Sequence, residues 1–359
     1  MRVAFRVDAS QAIGTGHVRR CLALAHALRA VGVECRFVTR DLGVDSVGMI
    51  GREAFSAALL PAPDGPAEPD ARVVHSAWAG VTLAVDVAQT RSALAEWAPD
   101  WVVIDHYAFD SRWHEEIRAA LGCRIAAIDD FADRRLACDL LIDHNHARDH
   151  RTKYGEHLPA EVVLLGGPEY ALLGPVFANA PRYQPRATVQ SIGVFMGGVD
   201  RANLSARVLD AIGLAGFEGP VEIVATSANP HLAALRAAAE ARASTVLSVD
   251  LGDLAAFFAR HDLQVGAGGG ASWERCCIGV PTLLLVVAEN QLAVVPDLAA
   301  GGIVATPEPP DSLDARAIAR AIAELIDDSA RRAGLAAKAR ALVDGRGAMR
   351  VAQVMKQWR

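Results

Sequence analysis

Short apolar runs with strand character alternate with segments of helical periodicity along almost the whole chain, and this alternation constrains the fold most. Val3–Val7 reads as a strand, after which Val18, Cys21, Leu22, Ala25 and Leu28 recur at helical spacing. Arg19, Arg20, His26 and Arg29 lie off that stripe, and Gly32 is a natural stop. Further strands are expected at 33–40, 101–105, 124–130, 140–143 and 161–167. Strands that alternate with helices form parallel sheets covered on both faces. The stretch 172–190, with three prolines and little periodicity, reads as a linker. The pattern then restarts with strands at 191–198, 221–227, 262–270 and 281–287 and helices at 203–216 and 314–328. The expectation is an α/β protein of two Rossmann-type parallel-sheet domains facing a central cleft that holds the ligand. The domains are placed at 1–180 and 188–340, with a C-terminal helix at 341–359 that crosses back to the first. The segment 61–80, rich in Pro, Ala, Asp and Gly, reads as a surface loop.

A length of 359 residues suits two such domains, and 52% apolar with 22% charged residues is a globular composition. The net charge of −6, with signs interspersed, argues against a nucleic-acid surface, which needs a concentrated basic field. Arg6 and Asp8 interrupt the first apolar run too early for a signal peptide, and the aliphatic run 282–288 is too short to span a bilayer. A cytoplasmic protein without membrane insertion is expected. The six cysteines form no Cys-x-x-Cys pair and sit among apolar residues, so they read as free, buried hydrophobes.

Three glycine-bearing turns follow strands: Ile13–His17, Met196–Asp200 and Gly266–Glu274. Each lets backbone approach a ligand, and the helix that follows offers unpaired N–H groups to an anion. The first, "GTGH", is open to three readings: a phosphate cradle, a catalytic histidine or a plain tight turn. His17 stands at a helix N-terminus, where the dipole favours the neutral imidazole that acts as a general base. No Gly-Lys-Ser/Thr is present, which excludes the P-loop, and "GTGHVR" lacks the third glycine of the dinucleotide fingerprint. Arg40, after the second strand, keeps an NADP-dependent reading open.

Asp105, His106 and Tyr107 end a strand, where all three could reach one ligand although regular pleating would alternate them. The cluster "DHNHARDH" at 143–150 has the composition of a metal site, yet its histidine intervals match no familiar ligand spacing, and it reads as a solvated loop. The stretch 268–291 joins a glycine turn, a helix carrying Glu274 in its first turns and, past a buried strand, Asn290-Gln291. A carboxylate in that place can accept two ribose hydroxyls while backbone N–H groups hold phosphate.

The stretches "RVDASQAIGTGHVRRCLALA", "DHYAFDSRWHEE", "IDDFADRRLACDLLIDHN", "GPEYALLGPVF", "MGGVDRANLS" and "WERCCIGVPTLLLVVAENQ" together resemble the UDP-sugar hydrolase family of pseudaminic acid biosynthesis (PseG). The resemblance runs over most of residues 1–300, with the motifs in the same order. It implies a GT-B fold similar to that of MurG. It also implies hydrolysis of UDP-2,4-diacetamido-2,4,6-trideoxy-β-L-altropyranose to UDP and free sugar, with anomeric inversion. On the matching motifs it implies His17 as the acid/base residue, Tyr107 and Asn290 on the sugar side, and Glu274 as the ribose ligand. Further substrate contacts are expected at Asp8, Gly14, Gly16, Asp105, His106, Gly197, Gly198, Gly268, Gly269, Gly270, Ser272 and Gln291. No cofactor or metal is called for, since UDP leaves as a stable anion and the sequence contains no Asp-x-Asp pair. The chain departs from the family at Gly197-Gly198-Val199-Asp200, where Gly-Gly-Ser-Asp is usual, and at Gly270-Ala271, where a hydroxyl residue is common. A MurG-like UDP-sugar glycosyltransferase and a non-catalytic nucleotide-sugar binding protein are the competing readings.

Overall fold

The computed structural model describes residues 1–65 and 68–358, with the side chain of Asn290 outside the described residues. Contacts divide the chain into two compact units, Met1–Pro175 together with the segment from Arg346, and Val176–Gly345. In the first unit the strands are β1 (Arg2–Val7), β2 (Glu34–Arg40), β3 (Ser56–Leu60), β4 (Trp101–Asp105), β5 (Arg124–Ile128), β6 (Leu140–Asp143) and β7 (Val163–Gly166). They form one parallel sheet in the order β3-β2-β1-β4-β5-β6-β7. Around it lie α1 (Gly16–Ala30), α2 (Ser46–Arg52), α3 (Leu83–Leu94), α4 (Ser111–Leu121) and α5 (His150–Tyr154).

The second unit holds β8 (Ile192–Phe195), β9 (Val221–Ala225), β10 (Thr245–Val249), β11 (Leu263–Ala267) and β12 (Thr282–Leu285), again parallel, in the order β10-β9-β8-β11-β12. After the short α6 (Pro175–Asn179) at the division, its helices are α7 (Leu204–Leu214), α8 (Leu232–Ala241), α9 (Leu254–Arg260), α10 (Ala271–Ile278), α11 (Val295–Ala300), α12 (Ala315–Asp327) and α13 (Ser329–Leu342). The last helix, α14 (Gly347–Gln357), packs on α1 of the first unit, where Lys356 Nζ donates to the Val31 carbonyl at 2.6 Å.

Two apolar layers explain the strand sequences of the first unit. Val3, Phe5, Val7, Trp101 and Val103 face the layer built by α1 and α14. Ala4, Val102 and Ile104 face the layer of Trp113 and Ile117. A strand buried on both faces reads as an unbroken apolar run, which is why β1 and β4 stand out in the sequence. The strands β3 and β10 do not stand out there. Both are short, lie at sheet edges and are only partly buried, and neither Ser-Ala-Ala-Leu-Leu nor Thr-Val-Leu-Ser-Val alternates regularly.

All six cysteines are free, and all but Cys35 are buried. Burial pushes the Cys138 and Cys276 thiols up to about 12 and Cys123 to about 11. Since the thiolate is the reactive form, a thiol reagent at pH 8 should modify the native protein slowly and count six thiols once it is denatured without reductant. A reproducible deficit in the denatured count would overturn this expectation.

Candidate active site

In an open parallel sheet the natural binding crevice lies outside the strand C-termini where the strand order reverses, because the connecting loops diverge there. In the first unit that point falls between β1 and β4. The loop after β1 leads to His17, and β4 ends in Asp105-His106-Tyr107. Gly14 makes the approach tight: its φ of +76° is open to glycine, and its N–H donates to the Ser10 carbonyl at 2.8 Å. Gly16 begins α1 with open space where a Cβ would stand, and the first turn of α1 has neither a side-chain cap nor an acidic residue.

His17 Nδ1 lies 2.6 Å from Asp105 Oδ1, with both side chains largely buried. Arg20, one turn further along α1, grips the same carboxylate through Nε and Nη2, each at 2.6 Å. Burial by itself would raise the Asp105 carboxyl, but Arg20 and His17 outweigh it and hold the group well below the ordinary carboxylate range. A fixed carboxylate keeps a proton on Nδ1, whose N–H donates to Asp105, and leaves Nε2 as the nitrogen turned to a ligand. Nε2 has no hydrogen-bond partner among the described residues. Arg20 was expected off the buried stripe of its helix. Instead it reaches inward, because residues at i and i+3 share a helix face and Asp105 pairs with both His17 and Arg20.

Asp105 and Tyr107, two residues apart, point the same way, and His106 points the other. The Tyr107 hydroxyl donates to Asp130 in a short bond and accepts from Arg20 Nη2 at 3.3 Å, and its ring stands edge-on to His17 at 4.9 Å. Burial, then the Asp130 charge, pushes the Tyr107 phenol well above its ordinary range and keeps it a donor. Asn145 Nδ2 holds the other oxygen of Asp130 at 2.6 Å. Asp130 and Asn145 were not singled out in the sequence. The available signal was position alone, since each follows the end of a strand at this edge of the sheet.

The expected solvated loop at 143–150 is corrected at its first two residues, while Arg148 and Asp149 are exposed as expected. Asp143 is fully buried beside Lys153 Nζ at 2.6 Å, and His144 is buried too, its pKa pushed down to about 4 by burial and by Arg20. β6 delivers this loop against Asp130, and that contact draws it inward. Among the described residues, no group of three or more His, Cys, Asp or Glu side chains could hold a metal ion.

Asp8 and His106 lie deeper. Asp8 is fully buried, accepts from Arg6 Nη1 at 2.5 Å and from the Arg40 N–H at 2.6 Å, and faces His106 Nε2 at 3.2 Å. Arg40, expected as a candidate NADP selector, is corrected. Its side chain is fully buried and spent on Asp86 at 2.8 Å, Gln89 at 2.7 Å and the Pro61 carbonyl at 2.9 Å.

In the second unit the order reverses between β8 and β11, which are followed by the turns bearing Gly197-Gly198 and Gly268-Gly269-Gly270. The two turns differ. Asp200 already occupies the first, its carboxylate oxygens accepting from the N–H groups of Leu204 and Ser205 at 2.8 and 2.9 Å. The second leads into α10 with no side-chain cap, and the amides of Gly269 and Gly270 take no partner among the described residues. A Cβ at Gly268 would stand 2.6 Å from Val295 Cγ2, so any larger residue there would have to displace Val295. Gln291 braces it from below, its Oε1 accepting from the Val287 N–H at 2.8 Å. Ser272 is buried and half-buried Glu274 stands in the first turn of α10. The side chain of Asn290 lies outside the described residues.

Two parallel-sheet, Rossmann-like units make this a chain of GT-B fold. It is similar over its whole length to MurG of Acinetobacter baumannii, with a TM-score of 0.68 at 14% identity and 99% of each chain covered. Phytolacca americana UGT2, complexed with UDP-2-fluoro-glucose and pterostilbene, gives 0.68 at 12% identity over 100% of both chains. S. aureus MnaA, in a co-structure with UDP, gives 0.64 at 12% identity, with 99% of this chain and 96% of that one covered. At these identities the likeness establishes the fold alone.

By sequence the chain is a distant homologue of two curated proteins. It is 28% identical over 196 residues to the spore coat polysaccharide biosynthesis protein SpsG of Bacillus subtilis, covering 54% of this chain and 58% of that protein, under two thirds of its length. It is 24% identical over 250 residues to the UDP-2,4-diacetamido-2,4,6-trideoxy-β-L-altropyranose hydrolase of Campylobacter jejuni, covering 70% of this chain and 78% of that protein. No protein-family model matches. Among the described residues, no helix is long and apolar enough to cross a membrane.

Proposed function

We propose that this protein hydrolyses a UDP-linked diacetamido-trideoxy sugar to UDP and free sugar with inversion at the anomeric carbon. The observation that carries the reading is the contact of His17 Nδ1 with the buried Asp105 carboxylate at the β1/β4 reversal. It leaves one imidazole nitrogen free to take a proton from water. In the proposed step, His17 Nε2 accepts a water proton while the water oxygen bonds to the anomeric carbon. The bond from that carbon to the diphosphate oxygen breaks, and its electron pair leaves with UDP. Asp105 stabilises the imidazolium that forms, and Tyr107 lines the sugar side. The second unit binds the UDP moiety. The free amides of Gly269 and Gly270 at the start of α10 stabilise the developing diphosphate charge, and Glu274 accepts the ribose hydroxyls.

The similarity to the Campylobacter jejuni hydrolase supports the choice of sugar and of hydrolysis over transfer. The test is incubation with a panel of UDP-sugars and no acceptor, following UDP release and catching the early anomer by NMR. Prompt release from the trideoxy sugar with the inverted anomer is expected. Release only after an acceptor is added would make the protein a transferase, and tight binding without turnover would make it a binding protein. The nucleotide assignment has its own check. Glu274→Ala should weaken UDP binding by ~1–3 kcal/mol, the usual effect of unpairing hydrogen bonds to a charged group. Unchanged UDP affinity by calorimetry in the folded variant would place the ribose elsewhere.

A further inference from the structure

The segment expected to be a plain surface loop carries two aromatic side chains to the His17 site. Its residues 70–80 are held at several points. Asp70 pairs with Arg112 at 2.8 Å and, through its N–H, with Ser76 Oγ at 2.9 Å, while Val73 and Ala79 are buried beneath it. A single turn of 3-10 helix, Ser76–Ala79, then presents Trp78 beside His75, with ring centres 4.4 Å apart. His75 leans on Phe131 at 5.1 Å, Phe131 stands edge-on to Tyr107 at 4.4 Å, and Trp78 lies 6.0 Å from Tyr107.

Tyr107 itself is locked by Arg20 and Asp130 and touches the His17 ring. His75, Trp78 and Phe131 are each left partly exposed. The three rings therefore make an apolar wall that is continuous with the candidate base and braced from behind. The ring faces of Trp78 and Phe131 take C–H groups and methyls, while the nitrogens of His75 and the Trp78 indole N–H remain at the ring edges.

We propose that His75, Trp78 and Phe131 form a sugar subsite that selects for the deoxy-position methyl over the hydroxymethyl of an ordinary pyranose. The inference rests on the assignment of His17 to the reacting end of a UDP-sugar. Binding is the readout that separates the two. Calorimetry on the full chain, with His17→Asn as the common background so that the sugar nucleotide is not consumed, compares UDP, UDP-N-acetylglucosamine and the UDP-diacetamido-trideoxy sugar with wild-type Trp78, Trp78→Ala and Trp78→Phe. Trp78 sits on a surface turn, so its truncation spares the core. Trp78→Ala should lose roughly tenfold in affinity for the trideoxy sugar, with UDP and UDP-N-acetylglucosamine within about twofold of their values with wild-type Trp78. Trp78→Phe should recover most of the loss. A Trp78→Ala variant that binds the trideoxy sugar as tightly as the protein with wild-type Trp78 overturns the subsite, as does a protein with wild-type Trp78 that binds that sugar no better than UDP. The expected pattern of affinities, together with a wild type that releases no UDP, upholds the subsite and overturns hydrolysis.

Discussion

His17→Asn is expected to lower kcat for acceptor-free UDP release by roughly 10²–10⁴-fold, the usual contribution of a positioned general base. UDP affinity should stay within about twofold, because the nucleotide is assigned to the glycine turn of the second unit. The geometry makes the loss specific. Asparagine can keep a hydrogen bond to Asp105 from the place of Nδ1, but it has no basic nitrogen where Nε2 stands. The measurement is a steady-state assay on the folded variant, paired with calorimetric titration of UDP. A fall in UDP affinity matching the fall in kcat would mean that His17 binds the nucleotide and does not activate water. A variant with near wild-type kcat would remove His17 from the chemistry altogether, leaving Tyr107 and its partner Asp130 as the groups to test.

Asp86→Ala should destabilise the first unit by ~3–5 kcal/mol, because it removes one of the two carboxylates that neutralise two buried arginines, leaving Arg6 with Asp8 alone and Arg40 with no counter-charge. Asp86, on α3, is fully buried and accepts from Arg6 Nη2 at 2.6 Å, Arg40 Nη2 at 2.8 Å, Trp113 Nε1 at 3.0 Å and Thr90 Oγ1 at 3.2 Å. Arg6 and Arg40 are both fully buried and would have to find other partners or draw in water. For a unit of this size the unfolding midpoint should fall by roughly 6–20 °C. A midpoint within a degree of wild type would show that the cluster adds nothing to stability.

The same groups set the acid limb of stability. Burial would raise the Asp8 and Asp86 carboxyls, but the Arg6 charge overrides it and holds both below their ordinary values. A carboxylate whose folded pKa is depressed binds protons more readily in the unfolded chain. Its contribution is therefore complete above the unfolded value of about 4 and is lost as pH falls toward the folded one. Thermal unfolding at a series of pH values should show the wild type losing stability below about pH 4. Asp86→Ala should lose less there, since one of the two depressed carboxylates is already gone.

Much of the fold is legible along the chain because its central strands are buried on both faces and must be apolar throughout. β4 and β6 fall at the expected residues, 101–105 and 140–143. β3 and β10 are not legible, since both are only partly buried and without alternation, whereas the edge strands β7 and β12 lie in apolar runs and are legible. The glycine turns are legible for a local reason: Gly14 and Gly197 have positive φ, and that demand is met within one residue. What a turn offers a ligand is a different matter. Asp200 fills the amides after Gly198, whereas nothing described fills those of Gly269 and Gly270, and only the fold distinguishes these two turns.

By itself the sequence determined the α/β class, the parallel sheets and the candidate histidine, because these follow from periodicity and from residues adjacent in the chain. Only the tertiary structure decided the partners. Arg20, Asp105, Asp130 and Asn145 come from α1 and from the loops or strand ends of β4, β5 and β6, and Arg40 turns inward to Asp86. These contacts join residues far apart in sequence. They form because strand order, which no local pattern encodes, sets the ends of β1, β4, β5 and β6 side by side at one edge of the sheet.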